Sequence, residues 1–444
     1  MISISSSDHN RKEKEYVFDY IFKDRLGVDY IADFTGNQDG DYLITSEGKQ
    51  VVRFVDVFFR KYHKNLQYLD IKNIPGDVSF YNDHTYTESD IPVIFGEGAL
   101  NIAENEISIG FDIIAGIFFC LTRWEEYVSE ERDVHGRFPG SSSWIVRNGI
   151  ELRPVVDEYI DFLRKVLEKS GYPVPENAEK YKAVISHDVD FMWKYPGSMK
   201  TLKSLGGDIL KRGDPGKFAR NLKNRIKNEP DPYDTFDFLM KLSEQKNIRS
   251  QFNFIPVNTG SFPAKYDIRE KSIIELIQHI KGRGHQIGIH PSYDSFMNPD
   301  KLAKELEIIR KIDPMTDSGR QHFLRFSAPE TWNHWYLCGL VEDSSLGYED
   351  NIGFRCGTAQ RYRVFDFLNR KSLELFESPL LAMDVALIRQ FGDSDDILPV
   401  IEKMAQKVKS VKGRFVILWH NNTFDEYGYK EYMNLYRSIV EMIA

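Results

Sequence analysis

Two acids separated by one residue end an apolar run at 184–190, with the sequence VISHDVD. Successive side chains of a β-strand point to opposite faces, so Asp188 and Asp190 lie on one side and His187 on the other. Two carboxylates held that close repel each other unless a cation or a shared proton lies between them. The spacing therefore favours a metal site or acid–base chemistry. The alternative is a solvated strand end or an Asx-turn.

Other side chains able to do this chemistry end later apolar runs. His290 lies in GHQIGIHPSYD, with Asp294 four residues on, which is the same face if the chain turns helically there. Arg325 lies in LRFSAPETW, Asp384 ends PLLAMD, and His420 ends VILWH. Taken singly, each has a structural alternative as a core histidine, an ion-pair partner or a turn residue. Because they recur at the ends of successive runs, they could converge on one pocket.

The elements that must position these residues alternate between strand and helix. Amphipathic helical patterns, for example over 235–247 and 271–284, lie between apolar runs of strand type. This order predicts a parallel α/β fold, in which the C-terminal ends of the strands form the active site. Six candidate strands with helices between them favour a (β/α) barrel, complete or incomplete, over an open sheet. The six runs cover 182–190, 250–256, 285–294, 322–330, 377–384 and 414–422.

A domain boundary is predicted at 169–180, KSGYPVPENAEK, where glycine, two prolines and polar residues separate two patterned regions. The first domain, 1–174, is predicted to be a smaller α+β domain, with a core helix at 111–127 and loops over 128–154. The second, 179–444, carries the candidate site. No role for the first domain follows from its sequence.

A basic insertion follows the two acids directly. Residues 194–227 hold ten Lys and Arg residues against two Asp residues, in a chain of net charge −9. One interpretation is a solvated helical excursion. The other is a flap over the site that attracts an anionic substrate, such as a phosphate-bearing sugar.

Composition excludes several classes of function. The net charge of −9 argues against nucleic acid as a partner. Three distant cysteines and no CxxC pair argue against a disulfide framework or a cysteine zinc site. The N-terminus lacks a secretory pattern and no apolar stretch is long enough to span a membrane. We therefore expect a cytoplasmic protein.

Together, these motifs resemble the polysaccharide deacetylase family, the chitooligosaccharide-deacetylase type of carbohydrate esterase. The resemblance covers about 179–430 and implies a distorted (β/α) barrel with five ordered motifs. SHDVD resembles a form of the first motif in which the two acids are separated, and GHQIGIH resembles the start of the second. The resemblance makes Asp188 the general base and Asp190 and His290 metal ligands. Residues 1–170 resemble a companion domain of unassigned role found in bacterial members.

The second motif departs from the family pattern. Asp294 stands where the family has its second histidine ligand. Asp190 and His290 with a histidine would suit zinc, whereas a second carboxylate would shift the preference towards a harder ion such as manganese. If Asp294 turns away, only two protein ligands remain, and two rarely hold a metal alone.

The remaining motifs supply candidates for catalysis and substrate contact. Arg325 and Pro329 resemble the third motif, Asp384 the fourth and His420 the fifth. In the implied mechanism Arg325 keeps the base ionised, and His420 protonates the leaving amine while Asp384 holds its other ring nitrogen. Pro329 and Trp332 are the expected substrate contacts.

Three functional hypotheses follow from the sequence. The first is a metal-dependent hydrolase that removes acetyl groups from an N- or O-acetylated sugar or glycan precursor. The second is an amidase acting on a non-peptide C–N bond of a small molecule. The third is a catalytically silent glycan-binding barrel, which the aspartate at 294 favours and the joint presence of Asp188, Arg325 and His420 opposes.

Overall fold

The computed structural model describes residues 2–35, 40–87, 89–176, 179–194, 231–392, 394–427 and 429–444. The basic insertion predicted over 194–227 therefore lies outside the described residues, apart from Lys194. Within the described ranges, no helix combines the length and the apolar character needed to cross a bilayer.

The C-terminal region contains a nine-stranded sheet in the order β14-β15-β13-β12-β11-β10-β9-β17-β16. All neighbouring strands are parallel except β14, which is antiparallel to β15. The described pairings leave β14 and β16 at the two edges, so a closed barrel stays a prediction. The strands are β9 Lys182–Val189, β10 Gln251–Phe254, β11 Gln286–Ile289, β12 Ser318–Gly319, β13 Glu342–Asp343, β14 Tyr362–Asp366, β15 Lys371–Glu377, β16 Ala382–Met383 and β17 Arg414–Leu418.

Four predicted strands are observed as β9, β10, β11 and β17. The strand predicted over 322–330 is wrong, because β12 ends at Gly319 and His322–Leu324 form a 3-10 turn. The run over 377–384 covers the end of β15 and all of β16.

Amphipathic helices cover this sheet because their apolar residues recur at helical spacing. In Phe236–Gln245, for example, Phe236, Leu239, Met240 and Ser243 are buried. The helices are Phe236–Gln245, Lys271–Gly282, Pro299–Arg310, Glu330–Leu337, Asp384–Phe391, Ser394–Ser410, Thr423–Tyr427 and Tyr429–Ile443.

The N-terminal region has a six-stranded mixed sheet, ordered β2-β1-β3-β4-β8-β7, and a small β5-β6 hairpin. The strands are β1 Ile2–Ser5, β2 Tyr30–Asp33, β3 Tyr42–Thr45, β4 Val51–Phe54, β5 Ser79–Tyr81, β6 Ile91–Val93, β7 Gly96–Ile102 and β8 Glu106–Phe111. The helices are Arg11–Phe18, continued by a π-helical segment Asp19–Leu26, then Ile113–Thr122, Trp124–Val128, Trp144–Arg147 and Val155–Lys169.

Buried ion pairs connect the N-terminal and C-terminal regions. The Arg355 guanidinium donates to both carboxylate oxygens of Glu126, at 2.9 and 2.7 Å, and both side chains are at most 3 % exposed. Arg370 donates in the same way to Glu13, at 2.7 Å to each oxygen. Paired donors on a planar guanidinium fix orientation as well as distance. The surface between the two regions is therefore specific, and the division at 174/179 stays a prediction.

Candidate active site

Asp188 is the next-to-last residue of β9, the strand that pairs with both β10 and β17. Its Oδ1 accepts hydrogen bonds from Asn253 Nδ2 at 2.7 Å and from Arg320 Nη1 at 3.0 Å. Burial raises the pKa of Asp188, but the Arg320 guanidinium and nearby imidazoles outweigh it and hold that pKa below its usual value. Asp188 is therefore an ionised, immobilised carboxylate, with Oδ2 3.8 Å from His290 Nε2.

Asp190 follows β9 and faces two imidazoles. Its Oδ1 lies 3.4 Å from His290 Nε2 and 3.5 Å from His322 Nε2. This buried oxygen has no hydrogen-bond partner of good geometry among the described residues. Although burial raises its pKa, the imidazoles of His322 and His290 hold the pKa of Asp190 well below its usual range. An ionised, buried oxygen without a good donor is what a cation site requires.

His290 follows β11 at the same edge of the sheet. Its Nδ1 lies 2.6 Å from the carbonyl oxygen of Arg320, so Nδ1–H donates and Nε2 is the atom directed towards Asp190. Burial lowers the pKa of His290, but Asp188 and Asp190 outweigh it and raise that pKa. A backbone acceptor on the far nitrogen is the usual way that proteins orient an imidazole ligand.

His322 is the site residue that the sequence analysis missed. It follows β12 in the 3-10 turn His322–Leu324, and its ring centroid is 4.8 Å from that of His290. Burial lowers the pKa of His322 to about 4. Its imidazole is therefore neutral, which is the form that binds a metal.

Asp190, His290 and His322 could hold one metal ion. One ligand atom from each residue lies within 4.8 Å of the other two. Two ligands of a tetrahedral ion at bonds of about 2.0–2.1 Å are about 3.4 Å apart. The distances of 3.4 and 3.5 Å from Asp190 Oδ1 to the two Nε2 atoms match that separation. The residues present therefore fit a single divalent ion with positions left for water or substrate.

His420 lies on the opposite side of this group, after β17. Its Nδ1 is 2.8 Å from Asp384 Oδ1, and its backbone N–H donates to Asp384 Oδ2 at 2.8 Å. Thr423 Oγ1 also donates to Asp384 Oδ2. Burial lowers the pKa of His420, but Asp384 more than compensates and raises that pKa to about 10. His420 Nε2 therefore carries a proton, 3.9 Å from Asp190 Oδ2.

These residues line one cavity of about 210 Å³. Its polar floor is formed by the two acids and the three imidazoles, and its walls are largely apolar with two arginines. The lining residues are Arg137, Asp188, Asp190, His290, His322, Phe323, Leu324, Glu349, Met383, Val385, Arg389, Leu418 and His420.

The structure brings together five of the residues predicted from the sequence: Asp188, Asp190, His290, Asp384 and His420. It corrects the ligand expected at Asp294. The Asp294 carboxylate instead accepts a hydrogen bond from the Ser261 N–H at 2.9 Å and contacts Lys301 Nζ at 3.4 Å. Asp294 is absent from the group of possible ligands found among the described residues. His322 stands in the place expected for it.

Arg325 is also corrected as the partner of the base. Its Nε donates to the His135 carbonyl at 2.8 Å and its Nη1 to the Tyr293 carbonyl at 2.7 Å. Arg320, five residues earlier, contacts Asp188 instead.

The two expected substrate contacts lie in the core. Trp332 is fully buried, and its indole N–H donates to Glu377 Oε2 at 3.0 Å. Pro329 is buried and directly precedes the helix Glu330–Leu337. Neither lines the cavity among the described residues. Both positions therefore contribute to the packing of the core rather than to the cavity wall.

Comparison with known proteins finds a family match over the N-terminal region. Residues 2–172 match a family described as a family of unknown function, DUF7033. No curated protein matches the chain. Among solved structures, the chain is similar to a proposed polysaccharide deacetylase from Mycobacterium smegmatis, with 15% identity over 61% of this chain and 86% of that chain. The TM-score is 0.38, which is too low for this similarity to support a function for the chain. The function therefore has to be inferred from the residues of the chain itself.

Proposed function

We propose that this chain is a metal-dependent hydrolase that removes an acetyl group from an N- or O-acetylated sugar or glycan precursor. The observation that carries the proposal is one cavity lined by a three-residue ligand group, the Asp188 carboxylate and the His420 imidazole. Asp190, His290 and His322 would hold the ion. The motifs resembling those of polysaccharide deacetylases support the same reaction.

The chemistry divides among the residues of the cavity. A divalent ion bound there would polarise the acetyl carbonyl and acidify water. Asp188 accepts the proton of the attacking water, since it is ionised and Asn253 and Arg320 fix one of its oxygens. His420 Nε2 donates a proton to the leaving amine or alkoxide, and Asp384 keeps its ring oriented. Acid and base thus both line the cavity that holds the ligand group.

The metal preference follows from the ligand types. One carboxylate and two imidazoles suit zinc or another borderline ion better than magnesium. The harder site, expected if Asp294 were the third ligand, has no support in the described contacts of Asp294. The silent glycan-binding alternative loses the sequence feature that favoured it, because His322 can complete the ligand group.

The cavity limits what can enter. Its volume of about 210 Å³ is below the roughly 300–1,000 Å³ of most ligand pockets. An acetyl group and the adjoining edge of a sugar fit this space, with the rest of a glycan outside. A small-molecule amide would fit this space equally well. The deacetylase and amidase hypotheses therefore share one mechanism and differ only in the substrate, so substrate assays have to distinguish them.

The test compares two single variants for metal content and activity. The protein is prepared without chelator or a metal-affinity tag, and its metal is measured by inductively coupled plasma mass spectrometry. We expect near-stoichiometric metal in the natural protein and in Asp294→Asn, and loss of metal and of acetate release from acetylated chitooligosaccharides in His322→Ala. Metal retained by His322→Ala, or no binding of zinc, cobalt, nickel or manganese by the natural protein, would refute the proposed site. Release from simple amides but not from acetylated sugars would favour the amidase.

A further inference from the structure

A turn of the N-terminal region reaches the segment that carries His322. The turn, residues 133–137, contacts residues 322–325 through two arginines. Arg137 Nη1 donates to the Phe323 carbonyl at 2.9 Å, and Arg325 Nε donates to the His135 carbonyl at 2.8 Å. Each region therefore binds a backbone carbonyl of the other beside the candidate metal site.

The segment after His322 has a backbone that needs such support. Phe323 and Leu324 have φ values of 62° and 53°, in the left-handed region that side chains other than glycine rarely adopt. Conformations of this kind persist where surrounding contacts determine them. Because His322 immediately precedes them, the same contacts determine where its imidazole points.

The turn is built to present Arg137 rigidly. Asp133 Oδ1 accepts from the backbone N–H groups of His135 and Arg137, at 2.8 and 2.9 Å. Asp133 Oδ2 accepts from Arg137 Nε at 2.7 Å and lies 2.6 Å from Arg137 Nη2. The guanidinium is thus fixed at two atoms by its own turn, and a third, Nη1, reaches Phe323. Only 9% of this side chain is exposed.

We propose that Arg137 is a positioning residue for the candidate ligand His322, so that the N-terminal region completes the metal centre of the C-terminal region. The proposal rests on the proposed function for the identity of His322 as a ligand. It gives residues 2–172, the part that matches a family of unknown function, a role in the site.

Arg137 also lines the cavity, so an alternative role is to bind an anionic group of the substrate. The charges around it favour positioning. Its guanidinium is paired with Asp133 at 2.6 Å and with Glu349 at 3.3 Å. Glu349 in turn binds Arg389 at 2.6 Å. Two carboxylates already offset the two cations at this wall, leaving little net attraction for an anion.

The experiment uses full-length Arg137→Ala and Arg137→Lys, with Arg132→Ala as the matched control. Arg132 belongs to the same loop, and its guanidinium donates to the carbonyls of Ser129, Glu131 and Glu126 in the N-terminal region. Zinc affinity is measured by competition with a chromophoric chelator. We expect about 10-fold weaker zinc binding in both Arg137 variants. The control should remain within about 2-fold of the natural protein.

Hydrogen exchange in the metal-free proteins provides a second readout. The Leu324 N–H donates to the Gln321 carbonyl at 3.0 Å, so its protection reports order in this segment. We expect faster exchange over 320–326 in the Arg137 variants and no change in Arg132→Ala. Unchanged zinc affinity in the Arg137 variants would overturn the positioning role, whatever the exchange shows. A higher KM with normal zinc affinity in Arg137→Ala, rescued by lysine, would instead assign Arg137 to an anionic substrate.

The two proposals fail in different ways. If the natural protein binds no zinc, the proposed function fails, and the exchange data alone decide whether Arg137 orders the His322 segment. If zinc binds with the same affinity to the natural protein and to every variant, the metal site of the proposed function stands and the positioning role is refuted.

Discussion

A double-mutant cycle tests which arginine holds the base. Arg320 and Asp188 are both nearly fully buried, and Nη1 lies 3.0 Å from Oδ1. At an effective dielectric constant of 20, two unit charges at this distance attract by about 5 kcal/mol. Asn253 also donates to the same oxygen and remains in every variant. We therefore expect a coupling free energy of about 2 to 4 kcal/mol.

The cycle combines Arg320→Met with Asp188→Asn. The free energy of unfolding of the four proteins is measured by urea titration with tryptophan fluorescence, in chelator so that no protein carries metal. Each single change leaves a buried group without its partner and should be strongly destabilising. The double variant should be more stable than the sum of the two losses predicts.

The matched cycle uses Arg325→Met, the arginine that the sequence motif assigns to the base. Arg325 donates to the carbonyls of His135 and Tyr293. Arg325→Met should lower the free energy of unfolding. In the double variant, this loss and the loss from Asp188→Asn should be additive to within about 0.5 kcal/mol. A coupling at Arg325 as large as that at Arg320, or additivity in the Arg320 cycle, would refute this reading of the site.

Three further results are expected. Asp384→Asn removes the charge that pairs with His420, so kcat should fall about 10²- to 10⁴-fold. The metal content, measured by mass spectrometry, should be retained; loss of metal would instead give Asp384 a structural role. Trp332→Phe should lower the free energy of unfolding, measured in urea, by about 1–3 kcal/mol, because Glu377 loses a buried hydrogen-bond donor. KM should not change; a raised KM would support Trp332 as a substrate contact after all. Burial raises the pKa values of Asp343 and of the neighbouring Glu377, so the folded form binds more protons than the unfolded form above about pH 4, and stability falls as pH rises. Asp343→Asn should flatten this dependence, and an unchanged slope in urea titrations would contradict it.

The sequence predicts well the parts of the site that lie on long apolar strands. β9, β11 and β17 each have an apolar run that ends in the functional residue, so Asp188, His290 and His420 could be placed at one edge of a sheet. Period-two alternation also places Asp188 and His187 on opposite faces. His187 is indeed buried away from the cavity, with Nδ1 2.7 Å from the Trp419 carbonyl.

The prediction fails where the strand has no apolar signal. β12 consists of Ser318 and Gly319 only, so the periodicity marked the later run at 322–330 as the strand. Arg320 and His322 follow β12 directly, at the same edge as His290. A strand ending at Gly319 would have singled them out by the rule that found the other residues. Contacts such as Asn253 with Asp188 or Arg137 with Phe323 depend on tertiary packing and leave no local pattern.

The two acids at the end of β9 have different surroundings, although their side chains point to the same side. Asp188 is almost fully buried, and both of its strong donors, Asn253 and Arg320, bind one oxygen. Asp190 has a side chain that is 24% exposed, and it faces imidazole nitrogens instead of an arginine. A base must be ionised and fixed, whereas a ligand must keep an oxygen free of competing donors. Spacing the acids by one residue, with Asn253 and Arg320 bonded to Asp188 alone, gives a candidate base and a candidate ligand from a single strand end.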